Sequence, residues 1–82
     1  VNEINHEPQY RLYPNPASTF VKIDSGNQPF TDHLDILNFT GAIVKTIECS
    51  NDTPLDISEL PDGIYFFRFT KNRSTVYKLI VQ

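Results

Sequence analysis

The chain has 82 residues, 39% of them hydrophobic with six Phe and four Tyr, and a formal net charge of −3. That length holds one domain, burying roughly 60 to 65% of the surface its unfolded form exposes, and a lone cysteine with two scattered histidines offers no disulfide or metal cluster to steady it. Interspersed charges of slightly negative balance leave no basic stripe for nucleic acid or an anionic membrane surface, and no apolar run approaches the ~20 residues needed to span a bilayer.

Residues 1–9 mix Asn, Glu, His and Pro without a period, so they are predicted to be a linker into a domain over residues 10–82. Val1 to Ile4 lack the basic start and apolar core of a secretory signal peptide, and the missing initiator methionine fits a segment cut from a longer polypeptide. From Tyr10 onward, short β-branched and aromatic runs alternate with turn clusters at about 8 to 12 residue spacing, the pattern of an all-β sandwich. Strands are predicted over 9–13, 19–24, 34–38, 43–48, 55–57, 64–70 and 75–81, with no sustained helical period anywhere. The predicted fold is an immunoglobulin-like antiparallel β-sandwich of about seven strands.

Tyr13-Pro14-Asn15-Pro16 lacks two backbone donors and so belongs in a turn or on an unpaired edge. Phe20, Lys22 and Asp24 alternate with Val21 and Ile23, giving that strand one wet face. Ser25 to Pro29 reads as a polar loop, Asn38-Phe39-Thr40-Gly41 as a hairpin with Gly41 at a left-handed position, and Lys71-Asn72-Arg73 as the last tight turn. Leu60-Pro61-Asp62-Gly63-Ile64-Tyr65 resembles the tyrosine corner of immunoglobulin-like sandwiches: Leu60 is its apolar anchor, Gly63 precedes the corner, and the Tyr65 hydroxyl should bond an upstream backbone group. In the last strand, Val76, Lys78 and Ile80 share one face and Tyr77, Leu79 and Val81 the other.

No set of residues nominates a reaction. His33 stands between Asp32 and Asp35, but neighbours in a strand diverge to opposite faces, and no second histidine lies nearby. Ser18, Ser25, Ser58 and Ser74 fall in or beside turns, and Cys49 has acidic neighbours and no adjacent His to favour a thiolate. Single glycines form no phosphate-binding loop. No catalytic residue, cofactor site or metal site is therefore expected, and a small hydrolase is disfavoured. Asn38, Asn51 and Asn72 head N-glycosylation sequons, which carry meaning only in a eukaryotic secreted protein. Tyr10, Phe66 and Tyr77 are candidates for an outward aromatic patch that could stack on sugars or dock a partner.

Tyr13-Pro14-Asn15-Pro16, the hairpin Asn38 to Val44, the corner Leu60 to Tyr65 and the closing Lys78-Leu79-Ile80-Val81-Gln82, in that order over about residues 10 to 82, resemble the type A C-terminal sorting domain of the type IX secretion system of Bacteroidetes. The resemblance implies a secretion signal rather than an enzyme. In the proteins it resembles, an upstream cargo domain, to which residues 1–9 would here be the linker, crosses the inner membrane by an ordinary signal, folds in the periplasm, and is guided by its C-terminal domain through an outer-membrane translocon with its shuttle proteins. The resemblance further implies that a sortase-like surface protease, which commonly removes such domains, is a partner. The charge pattern argues against a nucleic-acid partner, no direct membrane insertion is expected, and Lys78, Leu79, Ile80, Val81 and Gln82 are expected to be what the translocon recognises. The alternative is a fibronectin-type or carbohydrate-binding adhesion module, distinguished by its independence of the last strand.

Overall fold

The computed structural model describes residues 10–26 and 29–82, with the side chains of residues 72–74 excepted; the expected linker over 1–9 lies outside the described residues. Among the described residues there are seven strands: β1 (Arg11–Tyr13), β2 (Phe20–Asp24), β3 (Thr31–Leu37), β4 (Ile43–Ser50), β5 (Leu55–Asp56), β6 (Gly63–Phe69) and β7 (Asn72–Val81). They form a three-stranded sheet in the order β1-β2-β5 and a four-stranded sheet in the order β4-β3-β6-β7. Every strand pairing within the sheets is antiparallel.

Strict alternation along β6 shows why the two sheets pack. Tyr65, Phe67 and Phe69 turn inward and are buried, while Ile64, Phe66 and Arg68 face the other way. The inward rings meet Val21 and Ile23 of β2, Leu34 and Ile36 of β3, Leu55, Ile57, and Leu79 and Val81 of β7 in one core. Each such side chain contributes about 1.5 to 3 kcal/mol on burial. A thin sandwich needs large side chains to bridge two layers some 10 Å apart, which accounts for phenylalanine at both 67 and 69. Tyr10 stacks on Phe30 (ring centroids 4.9 Å) and meets Phe69 edge-on (4.6 Å), and Tyr77 meets Phe69 at 5.6 Å.

Most strand ends shift by one or two residues from the pattern-based expectation, but β3 and β7 each start three residues earlier, and one buried carboxylate explains both. β3 starts at Thr31 rather than 34 because Asp32 points inward, where its Oδ1 accepts the His33 amide at 2.7 Å and its Oδ2 the Lys71 amide at 3.2 Å. An inward Asp reads as loop by composition, although a hydrogen-bonded one is tolerated in a core. The same bond to Lys71 moves the last turn to Thr70-Lys71, since Phe69 pairs with Asn72 across it and the Thr70 amide donates to the His33 carbonyl at 2.9 Å. At the other hairpin, Asn38 is a turn residue. Its Oδ1 accepts the Thr40 and Ala42 amides, each at 3.0 Å, and Gly41 adopts φ +91° as expected.

The corner forms as the sequence indicates. Tyr65 is buried and its hydroxyl donates to the Pro61 carbonyl at 2.6 Å, Leu60 packs against the core, and Gly63 has φ +156°, a conformation costly for an L side chain. Tyr65→Phe is expected to destabilise the domain by about 1 kcal/mol, read as a shift in the urea midpoint without a change in slope. An unchanged midpoint would remove the corner bond from the account of stability.

Candidate functional site: the terminal strand and its strap

β7 is the outer strand of the four-stranded sheet and pairs through its ladder with β6 alone. Its two faces are now distinguished. Leu79 and Val81 are buried and Tyr77 packs half-buried against the same core, so the odd-numbered set closes the sandwich. Lys78 is exposed, Val76 is 52% exposed and Ile80 half-buried, so the even-numbered set faces away from the core. Gln82 is exposed. Beside them on the same outer face stand Ile64, opposite Ile80, and Phe66, opposite Lys78. Next to Val76, a shallow groove is lined by Leu37, Phe39 and Phe66.

The edge of β7 is closed by the segment that carries the proline pair. Both of its proline bonds, Tyr13-Pro14 and Asn15-Pro16, are cis. The Asn15 side chain spans the strand like a short piece of ladder: Nδ2 donates to the Lys78 carbonyl and Oδ1 accepts the Ile80 amide, both at 3.0 Å. Ala17 continues it through its backbone, donating to the Ile80 carbonyl at 2.8 Å and accepting the Gln82 amide at 2.9 Å, in a parallel bridge with Val81. Ala17 itself is buried. Tyr13 anchors the strap from the other side, its hydroxyl donating to Asp52 Oδ1; that hydrogen bond also pushes the phenol pKa up. The sequence places the proline pair in a turn or at an unpaired edge and does not reveal which edge, because the partner lies more than sixty residues away.

The other residues singled out by the sequence stand elsewhere in the fold. His33 is exposed while Asp32 turns into the core, so the two diverge as adjacent strand residues must. Asp35 accepts from Arg68 Nη2 at 3.2 Å across the outer face. The Cys49 thiol is buried and donates to the Asp32 carbonyl at 3.4 Å; burial, then the Asp32 charge, pushes its pKa up to about 12. Asn51 Oδ1 accepts the Ser25 amide at 2.9 Å, a turn-holding role. Among the described residues there is no cluster of three or more His, Cys, Asp and Glu able to hold a metal, and no helix long and apolar enough to cross a membrane.

The expected outward aromatic patch is corrected. Tyr10 and Tyr77 point into the sandwich and pack on Phe69, since the gap between the sheets at that end is filled by rings. Of the three only Phe66 stays on the outer face, where it is half-buried. The most exposed aromatic is Phe39, at 78%, on the turn between β3 and β4. Position in a turn sequence, rather than in a strand, was the available signal for it.

Cys49 supplies a pH expectation. An unfolded thiol near its ordinary pKa of 9 and a folded one near 12 mean that the native state holds the proton longer, so this residue's contribution is intact below about pH 9 and is lost as pH rises toward 12. Folded protein at pH 8 is expected to resist a thiol-specific disulfide reagent that reacts at once in urea. Rapid reaction of the folded protein would contradict the buried placement.

A family model described as the secretion system C-terminal sorting domain matches residues 11–82. No curated protein and no solved structure matches the chain.

Proposed function

Because the chain belongs to the family of secretion system C-terminal sorting domains, we propose that its recognition surface in type IX secretion is the outward face of β7, formed by Val76, Lys78 and Ile80. The family assigns the domain to sorting a secreted cargo to the cell surface or beyond and is not an enzyme family. The observation that carries the proposal is the division of labour along β7. Leu79 and Val81 are consumed by the core, and the outer-edge backbone from Lys78 to Gln82 is consumed by Asn15 and Ala17. What a receptor can reach without unfolding the domain is the even-numbered side chains and the exposed Gln82.

This refines the expectation that residues 78 to 82 are read through backbone and side chains together, as in strand addition. In the folded domain the backbone part is already paired. Recognition would occur in the periplasm by the translocon and its shuttle proteins, followed by removal of the domain by a sortase-like surface protease. Fusion of residues 1–82 behind a periplasmic reporter, in a strain with a type IX system, should carry the reporter to the surface or medium. Retention of the intact fusion in the periplasm would refute the export role. Normal export of a folded variant altered at 76, 78 and 80 would refute the assignment of the surface.

A further inference from the structure

The two outer strands of the four-stranded sheet are protected by different means. β4 carries Lys45 and Glu48, its Lys45 Nζ reaching across to the Asp56 carbonyl at 3.3 Å, and a register shift interrupts its ladder with β3 between Ile36 and Leu37. Charges at an edge and irregular pairing are standard ways of discouraging a further strand. Along its last half β7 carries only the single charge of Lys78 and no register shift. Thr75-Val76-Tyr77-Lys78-Leu79-Ile80-Val81 is β-branched or aromatic at most positions, has one charge, and lacks Pro and Gly. Such a stretch at an open edge pairs readily with another copy of itself.

We propose that Asn15 and Ala17 form an edge guard that prevents a second copy of this chain from adding a strand along β7. The strap occupies the Lys78 carbonyl, both backbone groups of Ile80 and the Gln82 amide. It is also a dead end: Pro14 and Pro16 have no N–H to offer on either side of Asn15, so the strap cannot template a further strand. A side-chain amide suits the task because it supplies one donor and one acceptor without extending the sheet. The guard is a property of the isolated domain and stands apart from the export reading, because it is read out by association and amide exchange alone.

The test compares the 82-residue chain with Asn15→Ala and Asn15→Ser, following amide exchange by NMR and association by sedimentation over a concentration series. Serine is too short to reach β7 yet favours turns. In either variant, the Ile80 amide is expected to exchange about tenfold faster, while Leu79, whose amide faces β6, keeps its protection as the control for folding. Assemblies that grow with concentration should appear in the variants and be absent from the parent chain. A variant that keeps Leu79 protection but stays monomeric throughout overturns the proposal, as does unchanged exchange at Ile80. If the alanine variant loses Leu79 protection, the serine variant decides by the same readouts. If neither folds, the strap is an element required for folding and the guard assignment is wrong.

Discussion

A reporter fused to residues 1–82 carrying Val76→Ser, Lys78→Glu and Ile80→Ser is expected to stay in the periplasm, with export reduced at least about tenfold, while the domain remains folded. Tenfold corresponds to about 1.4 kcal/mol of lost recognition, a modest demand for three side chains at a contact surface. Folding should survive because Val76 and Lys78 are exposed and Ile80 only half-buried, so none belongs to the core. Exposed substitutions of this kind usually cost within about 0.5 kcal/mol each. Substitution of these outward residues is a cleaner test than removing residues 78 to 82. That deletion would strip Leu79 and Val81 from the core and leave Asn15 and Ala17 without their partners, so a secretion defect could reflect unfolding alone. As a control, Thr46→Ser on β4 should leave both export and stability unchanged. Fractionation of cells and medium reports the outcome, and the result against the proposed surface is a protease-resistant triple variant exported like the parent.

Phe67→Ala is expected to remove a large share of the domain's stability. Phe67 is 0% exposed, sits between Ile36 of β3 and Tyr77 of β7 in the ladder, and fills the middle of the core. Truncating such a ring costs about 3 to 5 kcal/mol. A domain of this size has about 4 to 12 kcal/mol in total. The variant should therefore begin to unfold in little or no urea, where the parent chain shows a cooperative transition. Phe66→Ala, one residue earlier but on the outer face, should cost far less, because its ring is half in solvent already. Equal losses at 66 and 67 would show that the alternation of β6 has been assigned to the wrong faces.

What the sequence by itself determined is the class of fold, the number of strands and the local devices. Alternation in Phe20 to Asp24 and in Leu34 to Ile36 marks half-buried strands, because side chains in extended backbone alternate between faces whatever the surrounding fold. The tyrosine corner and the Asn38 to Gly41 turn were legible for the same reason: their bonds join residues four or fewer positions apart, so the chemistry is local. Tertiary structure decided whatever depends on distant partners. Asp32 became a buried strand residue through a bond to Lys71, and Tyr10 and Tyr77 came to pack half-buried against the core by meeting Phe69 and each other. The strap was half legible. Two prolines around Asn15 announce a turn or an unpaired edge, since a residue without an N–H cannot sit inside a ladder. That the edge is β7, and that an asparagine side chain completes it, follows only when the packing of two sheets brings residue 15 against residues 78 and 80. The same packing chose which face of the last strand is open: both faces carry apolar residues in sequence, and only the position of the second sheet buries Leu79 and Val81 and leaves Val76 and Lys78 outside.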